Sequence, residues 1–307
     1  MRELDLLARI YDRSGDLAAA YPHILVGPGD DCALIAAPGQ ILLKVDQLIE
    51  GRHYTRGTPL DLIARKAIAR AVSDIAAMAG TPTAALAAAA LPKNFPQEPA
   101  NQLFDAASRW ARHFGCPLVG GDIASFDTAD APLTLTITVI GTPHPTRGPV
   151  LRSTARPGDH VYITGAIGGS FDKATGGGRH LTFEPRLAEA KWLTDTLGPN
   201  LHAMMDISDG LGLDAGRMAA ASNLRIELNA AEIPLAQPAA ILEAIAAGED
   251  YELLFTAPPE AIVPPACPET GTPLTRIGTC VSGEPACFVH LPDGTSIDAS
   301  TRGWEHH

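Results

Sequence analysis

Short apolar runs of strand character alternate with longer stripes of helical spacing along the whole chain, and that alternation restricts the fold to the α/β or α+β class. Ile41 to Val45 reads as a short buried strand, and Leu133 to Val139 (LTLTITV) alternates strictly, as a half-buried strand does. Further strands are expected at His160 to Thr164, Leu224 to Leu228, Glu252 to Thr256 and Ala286 to Leu291, the last followed by a turn at Asp293-Gly294. Helical patterns fall between them. Leu4, Leu7, Ala8 and Tyr11 precede Gly15, and an alanine-rich stretch from Leu60 to Ala79 precedes Gly80 and Pro82. Leu103 to Phe114 precedes Gly115, and two more helices are expected over Pro185 to Leu197 and Gly210 to Ala221. The segment GTPHPTRG (Gly141 to Gly148) has no periodicity and reads as a linker between an N-terminal domain, 1–143, and a C-terminal domain, 144–307.

Charge narrows the partners. Thirty-five acidic residues against 23 basic ones give a net charge of −12, which argues against binding to nucleic acid or an anionic membrane through bulk charge. A phosphorylated ligand would then need something other than lysine and arginine to neutralise it, and divalent metal is the obvious candidate. With 46% hydrophobic and 19% charged residues the chain is no disordered polymer. The five cysteines (Cys32, Cys116, Cys267, Cys280 and Cys287) form no C-x-x-C pair and suit a reducing compartment. MRELDLLARIYDR carries too much charge for a signal peptide, and the most apolar run, Thr83 to Leu91, is too short to span a bilayer. A soluble, cytoplasmic protein is expected. His306 and His307 are either native or the remnant of a tag.

The placement of the aspartates points to chemistry. Asp30 and Asp31 follow a glycine-rich turn in GPGDD, Asp46 ends the run ILLKVD, Asp122 follows Gly120-Gly121, and Asp206 and Asp209 frame MDISDG. Each alone is an ordinary turn-former or helix cap. Together, at the ends of apolar strands, they can converge on one rim where hard oxygen ligands hold Mg²⁺ against substrate phosphates. Asp74 falls on the same helical face as Ile63, Ala67 and Ala71, so its charge needs a partner, either Arg70 one turn earlier or a metal. The glycine strings Thr164 to Ser170 and Gly176 to Gly178 are plain loops or places where backbone approaches a ligand. His53, in EGRHY, is a surface or core histidine or a base. No P-loop, H-R-D or D-F-G motif occurs, which excludes two kinase designs.

GDDCALI, D-x-L-x-x-G-x-H-Y at Asp46 to Tyr54, SDIAAMAGTP at Ser73 to Pro82, GGD at Gly120 to Asp122, RPGD at Arg156 to Asp159, DISDGL at Asp206 to Leu211, GEDYELLF at Gly248 to Phe255 and the closing GWEH occur in that order. This ordered set resembles the thiamine-monophosphate kinase family, within the aminoimidazole ribonucleotide synthetase-like superfamily. The resemblance implies a two-domain α/β fold, a homodimer whose N-terminal domains form a barrel, and ATP with several Mg²⁺ as the working ligands. It implies transfer of a phosphoryl group from ATP to thiamine monophosphate. Carried over residue by residue, it makes Asp31, Asp46, Asp74, Asp122, Asp206 and Asp209 metal ligands, with Val45 contributing only its backbone. It assigns Gly121, Asp122, Arg152 and Ser208 to the nucleotide, and His53, Glu249 and Trp304 to the thiamine substrate. No residue is implied as a covalent nucleophile. Two departures stand out: Lys44-Val45-Asp46-Gln47 replaces the usual S-T-D-T, and Ile123 replaces the threonine of GGDT. Lys44 either takes the place of one ion or points away. The alternatives are another ATP-using enzyme of the same superfamily and a catalytically silent nucleotide-binding dimer.

Overall fold

The computed structural model describes residues 9, 12–26, 34–36, 39–237 and 240–304. Asp30, Asp31, Cys32, His306 and His307, and the Leu4–Tyr11 stripe, lie outside them. The chain divides into two compact units, one of Met1–Ile75, Thr81–Thr142 and Lys173–Gly177, the other of Ala76–Gly80, Pro143–Asp172 and Gly178–His307. Among the described residues, no helix is long and apolar enough to cross a membrane.

In the first unit, β1 (Ile24–Val26) and β2 (Leu34–Ile35) form a small antiparallel ladder. A four-stranded sheet is built from β3 (Leu42–Ile49), β4 (Gly80–Leu91), β5 (Leu118–Ser125) and β6 (Thr134–Pro143), in the order β3-β6-β4-β5. Alternation along β6 buries Leu135, Ile137 and Val139 on one face. Because Lys44 pairs opposite Val139 and Asp46 opposite Ile137, both lie on that same inward face. Leu43 and Val45 take the other face and are 66% and 58% exposed. The Leu60–Ala77 helix buries Ile63, Ala64, Ala67, Ile68 and Ala71. Trp110 of the Gln97–His113 helix donates its indole N–H to Asp61 (2.9 Å) and lies under the Arg65 guanidinium, which ties the two helices.

Glycine 141 corrects the linker reading. β6 runs on to Pro143 and takes in the first three residues of that segment, and a side chain at 141 would meet Ile75 Cγ2 at 2.9 Å and the Thr81 carbonyl at 3.0 Å. The glycine is there for close packing. The alanine-rich run 84–90, which favours helix by propensity, is part of strand β4, and β5 packs so near it that a Cβ on Gly121 would sit 1.9 Å from the Ala87 carbonyl. Asp46 lies within β3, which extends four residues further than the sequence pattern indicated, and Asp122 lies within β5.

The second unit holds a seven-stranded sheet in the order β13-β12-β9-β11-β7-β10-β8. Its strands are β7 (His160–Thr164), β8 (Ala203–Ile207), β9 (Arg225–Asn229), β10 (Glu252–Ala257), β11 (Leu274–Val281), β12 (Ala286–His290) and β13 (Ser296–Asp298). Only the β12–β9 pair is parallel. β10 is buried along its whole length between β7 and β8, so successive residues feed apolar clusters on opposite faces. Leu254 joins Leu211, Ala215 and Met218 of the Leu211–Ser222 helix, while Leu253 and Phe255 join Ala190 and Leu193 of the Leu187–Leu197 helix. Phe255 is fully buried and stacks on Tyr162 at 5.1 Å. Truncating a fully buried phenylalanine removes both its transfer free energy and its packing partners. Phe255→Ala is expected to lower unfolding stability by about 3–5 kcal/mol in urea titrations; a loss below about 1 kcal/mol would show that this core is not cooperatively packed.

Candidate functional site

In the first unit the structure brings Asp46 and Asp74 together through Lys44. The Lys44 ammonium lies 3.0 Å from the Asp74 carboxylate and 3.4 Å from that of Asp46. All three side chains keep partial exposure, 30% for Lys44, 28% for Asp74 and 18% for Asp46. Lys44 therefore points into the carboxylate pair, and Arg70 donates to the Gln47 carbonyl at 3.0 Å. Val45 offers only its backbone, since its side chain is on the outward face. Asp122 and Gly121 are exposed on β5, the opposite edge strand from β3. Three inter-strand steps put those edges roughly 14 Å apart, so one chain alone does not unite Asp122 with Asp46.

His53 sits in a tight turn directly after β3. Its amide and that of Arg52 both donate to the Ile49 carbonyl (2.9 and 3.1 Å), and Gly51 takes a φ of +80° to close the turn. The ring folds back so that Nδ1 accepts the Ile49 N–H at 2.9 Å.

In the second unit, two distant segments and the helix that follows are tied to one turn, residues 206–210. Asp206 is the buried penultimate residue of β8, and Asp209 precedes the Leu211–Ser222 helix. Asp214, in the first turn of that helix, accepts the Ser208 and Asp209 amides (3.0 and 2.9 Å). Arg217 ties both carboxylates, bonding Asp209 at 2.5 Å and Asp214 at 2.8 Å. Burial pushes the Asp214 carboxyl up to about 6. The Glu249 amide donates to the Ser208 carbonyl at 2.7 Å, and the Trp304 amide to the Asp209 carbonyl at 2.8 Å. This arrangement demands small residues, since a Cβ on Gly303 would come within 2.5 Å of the Asp209 carbonyl. Trp304 remains 48% exposed. Arg152 is the outlier: its carbonyl accepts from Ser222 at the far end of the Leu211–Ser222 helix, roughly 18 Å along the axis at 1.5 Å per residue.

Glu249 and Tyr251 both adopt left-handed backbone, with φ of +66° and +53°. Two such non-glycine residues in one loop are costly and persist only where surrounding contacts over-determine them. Those contacts are present. Buried His180 pairs with the Glu249 carboxylate at 3.0 Å, and Phe183 stacks on Tyr251 at 3.8 Å. Asp250, between them, turns inward and accepts the Gly168 amide (3.0 Å), the Ser170 hydroxyl (2.5 Å) and Arg179 (2.8 Å). Glu252 is likewise turned inward, held by both arms of Arg186 and by Thr164. Within GEDYELLF, Asp250 and Glu252 therefore build the loop. Asp159 of RPGD is structural in the same way, accepting the Arg156 amide (2.8 Å) and pairing with buried His202 (2.8 Å). Sequence reasoning missed His180, Arg179, Asp214, Arg217 and the inward turn of Asp250; the i, i+3 spacing of Asp214 and Arg217 in one helix was a signal for that pair.

Residues 29–142 match the AIR synthase related protein N-terminal domain, and residues 156–289 match the corresponding C-terminal domain. Fold and site thus define the class: a two-domain α/β protein related to AIR synthase. The chain is 35% identical to the thiamine-monophosphate kinase of Rhodopirellula baltica, over 91% of this chain and 89% of that one. It superposes on the thiamine-monophosphate kinase of Stenotrophomonas maltophilia with a TM-score of 0.74 and 27% identity, covering 93% of this chain and 96% of that one. AaThiL, complexed with AMPPCP and TMP, gives a TM-score of 0.72 and 26% identity, covering 100% and 99%. The chain belongs to the thiamine-monophosphate kinase family.

One pH effect follows from the loop. Burial raises the Asp250 carboxyl from 3.8 to about 6, against the pull of Ser170, Gly168 and Arg179 and with a push from Glu252. Between those values the folded chain holds a proton that the unfolded chain has released, so this group's contribution to stability falls as pH rises. Wild type is expected to lose stability relative to Asp250→Asn between about pH 4 and 6.5 in paired thermal melts. An opposite trend would mean that Asp250 stays ionised across the window.

Proposed function

We propose that the protein phosphorylates thiamine monophosphate with ATP, giving thiamine diphosphate and ADP. The observation that carries this reading is the convergence of Ser208, Asp209, Glu249 and Trp304 on one turn, although these residues are up to 96 positions apart in sequence. The relatives that carry the name thiamine-monophosphate kinase support it, as does the pairing of AMPPCP with TMP in AaThiL.

In this reading His53, Glu249 and Trp304 hold the thiamine substrate, and Gly121, Asp122, Arg152 and Ser208 hold the nucleotide. Asp31, Asp46, Asp74, Asp122, Asp206 and Asp209 would hold Mg²⁺. Among the described residues no three His, Cys, Asp or Glu side chains gather into a closed metal site. The donor set still fits a hard divalent ion, because Mg²⁺ is commonly bound through one or two carboxylates with substrate phosphates completing the sphere. Bound there, Mg²⁺ would neutralise charge on the transferring phosphoryl group. The residues themselves position. The attacking atom is a phosphate oxygen of thiamine monophosphate, already ionised, so in-line transfer needs no general base and no covalent nucleophile. A neutral thiamine hydroxyl lacks that charge and should be a poor acceptor.

A homodimer belongs to the same reading. Leu43 and Val45 expose an apolar strip on β3, and a partner chain presenting its β5 edge would bring Asp122 to Asp46. The free, buried thiols of Cys116, Cys267, Cys280 and Cys287 suit the cytoplasm. The N-terminal domain, 1–143, would supply dimerisation and metal binding, and 144–307 the remainder.

Two outcomes are expected. With ATP and Mg²⁺, mass spectrometry should find thiamine diphosphate and ADP in equal amounts from thiamine monophosphate, little product from thiamine, and no accumulating free phosphate. Asp46→Asn and Asp74→Asn should each abolish turnover. Stoichiometric phosphate release with a formylglycinamidine-type precursor would instead favour a dehydrating relative, and nucleotide binding without turnover a silent dimer. Second, Lys44→Ser removes the ammonium between Asp46 and Asp74. It should add a bound ion in Mn²⁺ titrations or raise the Mg²⁺ needed for half-maximal rate; an unchanged count and dependence would make Lys44 purely structural.

A further inference from the structure

We propose that Lys66 is a positioning residue for His53, setting the geometry with which that histidine meets its substrate. The proposal rests on the reading of His53 as a substrate contact. Lys66 lies mid-helix in Leu60–Ala77 with 0% exposure and is among the largest fully buried side chains of the described residues. Its neighbours along the helix, Ile63, Ala64, Ala67 and Ile68, are apolar and buried. An apolar side chain at 66 would bury without desolvating a charge, so an ammonium there calls for an explanation. Its Nζ donates to the His53 carbonyl at 2.6 Å, a short, charge-assisted bond.

That bond completes the fixation of His53. The amide of His53 is committed to the Ile49 carbonyl (2.9 Å), and Nδ1 to the Ile49 amide (2.9 Å). The next residue, Tyr54, is buried and anchored through its hydroxyl to the Leu133 carbonyl at 2.7 Å. With Nδ1 accepting, the neutral ring must carry its proton on Nε2, which makes that nitrogen the ring's hydrogen-bond donor. Lys66 holds the carbonyl end of this residue while Ile49 holds the ring. Release of the carbonyl lets the 49–54 turn relax, and with it the bond that selects the tautomer.

The test uses the full-length protein and four variants: His53→Gln, Lys66→Met, Lys66→Arg and the His53→Gln/Lys66→Met double variant. Lys66→Met is expected to raise KM for thiamine monophosphate by about tenfold with a smaller change in kcat, and Lys66→Arg, which keeps a charged donor, by less than about threefold. In the His53→Gln background, Lys66→Met should add little, because both act through one group. Long-range ¹H–¹⁵N spectra of the imidazole should show the Nε2–H form in wild type and a mixture of tautomers in Lys66→Met, whatever the activity. Fully additive KM effects, with the tautomer unchanged, would overturn the proposal. So would a lowered Tm as the sole consequence. If His53→Gln leaves KM unaltered, the substrate reading of His53 fails, and the spectra still decide whether Lys66 orients the ring. Should Lys66→Met not fold, Lys66→Gln takes its place under the same criteria.

Discussion

A carboxylate withdrawn from water must find a cation or a set of N–H donors, and the architecture of this chain follows from meeting that demand many times over. Lys44 lies between Asp46 and Asp74, and Arg217 between Asp209 and Asp214. Arg179 and Arg186 reach the inward-facing Asp250 and Glu252. Each cation lets acidic groups gather without unfolding the site through mutual repulsion. A net charge of −12 is thereby compatible with binding a polyanion, because these acids are compensated locally.

The same economy governs the backbone. The 206–210 turn receives the amides of Glu249 and Trp304 from two other segments, and the glycines at 210, 248 and 303 admit that close approach. Left-handed backbone at Glu249 and Tyr251 is sustained by His180, Phe183 and the Asp250 network. The turn and the loop are held by the chain's own contacts, which suits a reaction that needs positioning and charge neutralisation in place of a covalent intermediate.

Much of the secondary structure was legible. The His160–Thr164 strand and the helix ending at Leu197 follow directly from apolar periodicity and glycine stops. The alanine run of β4 was not, since alanine favours helix locally and the close packing of β5 against it does not show in that run. β11 escaped because Gly278 and a bulge interrupt its alternation, and β8 because its five residues are buried on both faces and show no period. Of the candidate site, the aspartates stand out in sequence because acids after apolar runs are unusual. Their partners could not: a lysine at 66 or a histidine at 180 looks the same in sequence whether exposed or buried.

By itself the sequence determined the class of fold, the aspartate set, the want of a lysine-bearing phosphate loop, and membership of the thiamine-monophosphate kinase family. Those features are local in composition and order, and short-range physics is enough to express them. The tertiary structure alone decided that Lys44 faces the carboxylates, that Asp250 and Glu252 turn inward, and that Asp46 and Asp122 occupy opposite edges of a sheet. These depend on strand order and on which residues lose contact with water, and both are set by contacts between segments far apart in the chain.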